Sequence, residues 1–160
     1  MEKISYYFVM ICGIISIMHK KFYAGGFIFH PDSEQILLQQ VTSDSQTSSP
    51  WSLFGTSFSD QDKSEEAFKD VIFQTLGLKL ETIFPIYASV KDPTYDARYI
   101  LFAEVDKMTE FPPKGNVTFG WFSFKAILKL NISAQEKHDI VVGQRVIAAA
   151  TRKSNGEQTL

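Results

Sequence analysis

The chain has 160 residues, 44% apolar and 21% charged, which suits one globular domain with a single sizeable core. Its net charge of −2 gives no reason to expect a nucleic-acid-binding face. A lone cysteine, Cys12, excludes an intramolecular disulfide and a cysteine-rich zinc site, and fits a reducing, cytoplasmic compartment.

The segment 1–21 has a basic start, an apolar stretch over 4–18 and a His19-Lys20-Lys21 close. The stretch falls short of the roughly 20 residues that a spanning helix needs. It has the size of a signal-peptide core, but no small-x-small cleavage pattern follows. Three readings stay open: an element packed on the domain, a membrane tether, or a natural start at Met18. The last is favoured because the domain pattern begins directly afterwards. Cys12 reads as a buried or lipid-side thiol rather than a nucleophile.

Residues 22–29 are aromatic-rich and carry the pair Gly25-Gly26, 30–34 form a Pro-Asp turn, and 35–40 return as a second strand. His30 reads as a turn residue rather than a ligand. The polar, serine-rich run 42–50 is a loop.

The stretch that organises the chain is 51–78, WSLFGTSFSDQDKSEEAFKDVIFQTLGL. It comprises an aromatic-glycine turn, a polar loop and an amphipathic helix. Ala67, Phe68, Val71, Ile72 and Leu76 fall on one helical stripe. Asp62 and Ser64 are candidate N-caps, with Glu65 at capping-box spacing from Asp62, and Gly77 stands where a left-handed C-terminal residue belongs.

This stretch resembles the Nudix hydrolase signature, G-x5-E-x7-R-E-U-x-E-E-x-G-U with U apolar, usually preceded by W-x-L-P-G. The signature overlays without a gap on Trp51-Ser52-Leu53-Phe54-Gly55 and Gly77-Leu78, and Ala67 and Ile72 also match its framework. The chemistry does not match: the opening glycine is Thr56, the loop glutamate Asp62, the arginine Asp70, and the helix glutamates Val71, Gln74 and Thr75. In the family those glutamates hold divalent cations that polarise a phosphoanhydride and activate water. The arginine that usually ends the second strand is replaced by Gln40 or Val41.

Further on, 82–90 and 98–105 read as strands, and 107–116, with Pro112-Pro113, as a long loop on the side where the family places substrate selectivity. Trp121-Phe122-Ser123 resembles the family's W-F-S strand end, with Ser123 capping a short helix over 125–129. Ser133 and Glu136 open the last helix as a capping box, with Ile140, Val141, Ile147 and Ala150 on its buried side, and 152–160 reads as a frayed tail.

The resemblance covers 22–151 and implies an α/β fold, a Nudix-type α/β/α sandwich with a mixed sheet. The favoured function is a catalytically impaired Nudix-fold module that binds a small phosphorylated ligand or a partner. Phe22, Tyr23, Trp51 and Gly55 are the expected substrate-binding surfaces, and a homodimer fits the habit of the family. The first alternative is an active hydrolase using relocated carboxylates, Asp62, Glu66, Asp70 or Glu110, and only this one calls for Mg2+ or Mn2+. The second is an interaction protein tethered by its N-terminal segment. Val71 is expected to be poorly exposed.

Overall fold

The computed structural model describes residues 20–44 and 49–156. The apolar segment 4–18, Cys12, His19, the middle of the serine-rich loop and the last four residues lie outside them.

The aromatic opening run is β1, Phe22–His30, and its return strand is β2, Gln35–Val41. Then come β3 (Trp51–Ser52), β4 (Phe54–Phe58), a 3-10 turn at Gln61–Lys63 and helix α1, Ser64–Leu76. They are followed by β5 (Phe84–Ser89), β6 (Ala97–Glu104), β7 (Val117–Ser123), the short α2 (Phe124–Ile127) and the long α3, Ala134–Ser154.

β1 is the centre. One edge runs parallel to β6 from Phe22 to Phe29. The other edge is divided: Phe22–Gly26 pairs with β4 and Ile28–His30 with β2, both antiparallel. β2 also holds β3 and β7, and β6 holds β5, so the sheet is mixed as expected.

Because side chains alternate along a strand, β1 feeds two cores. Ala24 and Ile28 face α1 and pack with Phe68, Ile72, Phe54 and Leu101. Phe27 and Phe29 face α3 and pack with Ile36, Leu38, Phe102, Ile140 and Ile147. The α/β/α sandwich follows. Phe68 and Ile72 are fully buried, and truncating a side chain of either kind costs about 2–5 kcal/mol.

The helical stripe and the C-cap form as expected. Gly77 has φ +69° and returns its N–H to the Phe73 carbonyl. The N-terminus of α1 differs. Residues 61–63 tighten into the 3-10 turn, whose cap is Asp60, accepting from the Asp62 N–H at 3.2 Å. Asp62 and Glu65 therefore make no capping box, and the residue before α1, Lys63, makes no side-chain cap bond.

Ser123 caps α2, which starts one residue earlier than expected, at Phe124. In α3 Ala150 is exposed rather than buried, because the sheet contacts end near Ile147. The helix continues to Ser154, so residues 152–154 are its last turn and not a frayed tail.

Candidate functional site

The α1 side carries the signature positions. Thr56 sits half-buried on β4 opposite Ala24. Val71 is half-buried and packs on the α1-side core, as an apolar replacement should. Gln74 is exposed and Thr75 half-buried on the last turn of α1. Lys114 reaches that turn from the 107–116 loop and donates from Nζ to the Gln74 carbonyl at 2.7 Å. Three cavities of about 620, 490 and 330 Å3 lie here. Phe111 lines all three, so they meet around its ring.

The loop that forms these cavities is pinned at its root. The His30 ring accepts at Nδ1 from the Ser33 N–H (3.3 Å) and donates from Nε2 to the Asp106 carbonyl at 3.2 Å, an arrangement that one neutral tautomer satisfies. Trp121 donates from Nε1 to the Thr109 carbonyl at 3.0 Å and lines the two larger cavities. His30 thus has the structural role read from the sequence.

The candidate carboxylates are spread out. Asp62, Glu66 and Asp70 are exposed on the 3-10 turn and on α1. Glu110 is exposed on the loop, lining the 490 Å3 cavity. Among the described residues no three His, Cys, Asp or Glu side chains are grouped so as to hold a metal ion.

The four expected ligand-binding residues are already engaged within the protein. Phe22 is 3% exposed, its ring 5.6 Å from that of Phe58 and 6.3 Å from that of Tyr99. Tyr23 lies across the cross-strand pair Gly25 and Gly55, where any Cβ would collide with its ring. Its neighbours are Tyr95, at 5.3 Å between ring centroids, and the Arg98 guanidinium, 5.2 Å from its centroid. Trp51 packs edge-on against Phe122 at 4.7 Å.

Beside Tyr23, on the α3 face, lies a group of residues that sequence reading missed. Asp139, on α3, is fully buried. It accepts from the Tyr87 hydroxyl, from Arg98 Nη2 at 3.0 Å and from Gln135 Nε2 at 3.0 Å. Arg98 also contacts Asp92 at 3.4 Å. Burial pulls the Arg98 pKa down, but the hydrogen bond and charge of Asp139 outweigh it and leave the pKa above its usual value. Burial, with the nearby Glu136 charge, pushes Tyr23 up to about 12. Burial and the bond to Asp139 do the same for Tyr87, to about 12.

Glu136 is raised mainly by desolvation, against the Leu53 N–H that it accepts at 3.0 Å. It also accepts the Ser133 hydroxyl at 2.9 Å, so the helix cap ties α3 to the β3–β4 corner.

No family model and no curated protein matches the chain by sequence. Solved structures do match. The NUDIX domain of Shewanella oneidensis NrtR, complexed with ADP ribose, superposes with TM-score 0.61 at 13% identity, covering 79% of this chain and 87% of that one. A MutT protein from Methanosarcina mazei gives 0.59 at 14% identity, covering 78% and 92%. The C-terminal domain of mouse MUTYH, in complex with human PCNA, gives 0.61 at 12% identity, covering 81% and 90%. The chain has the Nudix fold.

Within this Nudix fold the divalent metal implied for a hydrolase does not fit the signature positions. A hydrocarbon side chain, a neutral amide and a hydroxyl supply no charge where hard cations need carboxylate oxygens. The buried charged groups stand instead on the other face of the sheet. Their one sequence signal is that Asp139 shares the inward stripe of Ile140, Gly143 and Ile147, which calls for a buried cation, and Arg98 is the only arginine before α3. Among the described residues no helix is long and apolar enough to cross a membrane.

Proposed function

We propose that the chain is a Nudix-fold binding module for a small phosphorylated ligand, of the nucleoside-diphosphate-linked kind, that has lost metal-dependent hydrolysis. The observation that carries this reading is the wall of the cavities at the end of α1. Where three glutamates would balance divalent ions, Val71 is half-buried against the core, Gln74 and Thr75 are neutral, and a lysine ammonium stands against the helix end. Each tenfold in rate is about 1.4 kcal/mol, and a wall without those carboxylates gives up the metal-held water on which the family's hydrolysis depends.

The cavities keep the size and mixed lining of a ligand site, with Trp121, Phe111 and Phe119 as aromatic walls. That the Nudix domain of NrtR was crystallised with ADP ribose supports this ligand class. Stacking on Phe22, Tyr23 and Trp51 would require those rings to leave their internal partners, so Trp121 and Phe111 are the better surfaces. The lone cysteine fits a cytoplasmic setting, and pairing into a homodimer is compatible with the reading.

The test is to titrate ADP ribose, nucleoside diphosphates and nucleotide sugars while following tryptophan fluorescence. A saturable change that is lost in Trp121→Ala and retained in a Phe22→Leu variant supports the site. Saturable binding that survives Trp121→Ala and is lost only with Tyr23 or Trp51 contradicts it.

A further inference from the structure

We infer that the 330 Å3 cavity at the end of α1 is an anion site in which the Lys114 ammonium takes the place of the divalent metal. This rests on the binding-module reading and names what that module grips. Among the described residues lining this cavity, which include Gln74 and Thr75, Lys114 alone carries a charge. The same wall built with glutamates would attract cations. With the neutral Gln74 and Thr75 in two of those places, the one formal charge on this wall is the lysine's, set against the partial negative charge of the α1 C-terminus.

The lysine is held ready. Lys114 and Val117 exchange backbone hydrogen bonds at 2.9 and 3.0 Å, closing a tight turn. That turn is anchored because Thr42 donates from its backbone N–H to the Asn116 carbonyl at 2.9 Å, while the Asn116 amide returns a bond to the Thr42 carbonyl at 3.1 Å. The ammonium has three N–H donors. One serves the Gln74 carbonyl, one of the last four of α1 and so lacking a partner within the helix. Two remain for a ligand, with the Thr75 hydroxyl in the same wall as a further donor.

The floor is apolar: Phe111 and Phe119 meet edge to face at 6.3 Å. A phosphate or diphosphate carried on an organic group satisfies both parts of this lining. The organic group would extend into the cavities that adjoin at Phe111.

The experiment uses the full chain in EDTA, titrated calorimetrically with inorganic pyrophosphate and with ADP ribose, at low and high salt. Binding of ADP ribose is expected without metal and should weaken as salt rises. Lys114→Met should weaken it about tenfold, and Lys114→Arg by less than about threefold. Thr75→Glu, which leaves the lysine in place and brings back an acid, should also weaken it about tenfold. Thermal melts of each variant separate a binding loss from a folding loss.

If Lys114→Met and Thr75→Glu bind ADP ribose as the parent does, this inference falls and the binding module stands. If the parent binds only once Mg2+ is added, the metal has not been replaced and the inference also falls. If neither probe binds the parent with or without metal, both readings fall together.

Discussion

The two faces of the sheet carry opposite polar chemistry. On the α1 face the places of the three helix glutamates are neutral, with Val71 and Thr75 half-buried and Gln74 exposed, and the carboxylates Asp62, Glu66 and Asp70 point to solvent. On the α3 face a buried carboxylate, Asp139, is paired with Arg98 and satisfied by Tyr87 and Gln135. Val71, Gln74 and Thr75 carry no charge that needs a partner. Asp139 and Arg98 balance each other, and neither can change alone.

That contrast sets the largest expected effect. Asp139→Ala leaves Arg98 buried with only its 3.4 Å contact to Asp92, and should cost about 3 kcal/mol in denaturant unfolding. Replacing both, as Asp139→Leu with Arg98→Met, should cost distinctly less. A single Asp139→Ala loss of under about 1 kcal/mol would mean that the pair is solvated and that the comparison fails.

The next effect is alkaline. Below pH 10 Tyr23 is protonated in both the folded and the unfolded states. Between pH 10 and about 12 the unfolded side chain ionises while the folded one keeps its proton, so stability falls across that window. The loss assigned to Tyr23 is about 3 kcal/mol, and Tyr23→Phe should flatten the curve by that amount. Tyr87 acts in the same direction but is less enclosed, so Tyr87→Phe should flatten it less.

Smaller effects belong to the α1 face. Gly77→Ala forces a side chain into the left-handed region and should cost about 1 kcal/mol by thermal unfolding. Val71→Glu should cost no more than about 1 kcal/mol, since the side chain can swing outward, and should restore no metal-dependent turnover while Gln74 and Thr75 stay neutral.

Much of the fold was legible because the sequence states it locally. The strand runs, the stripe on α1, Gly77 and the Ser133 cap are each set by neighbouring residues. The overlay of 51–78 on the Nudix signature supplied the topology. What was not legible depends on contacts across the sheet. Asp60 displaced the expected caps because a 3-10 turn competes with a capping box built from the same polar residues. The rings of Phe22 and Tyr23 look available in a strand, yet one is enclosed by Phe58 and Tyr99 and the other lies on two glycines contributed by separate strands. Arg98 and Asp139 are 41 residues apart, and nothing local announces their meeting. Lys114 reads as an ordinary loop lysine until the turn beside it places it on α1.

The central claim, that the α1 face no longer supports metal-dependent hydrolysis, is tested most directly by turnover. Nucleoside triphosphates, nucleotide sugars and dinucleotides should be assayed with Mg2+ and with Mn2+, following phosphate and nucleotide release. The account predicts rates barely above those without protein. Metal-dependent turnover in the common enzyme range of about 1 to 10³ per second, abolished when Asp62, Glu66 and Asp70 are all replaced by alanine, would contradict it and place a working site on the outer face of α1.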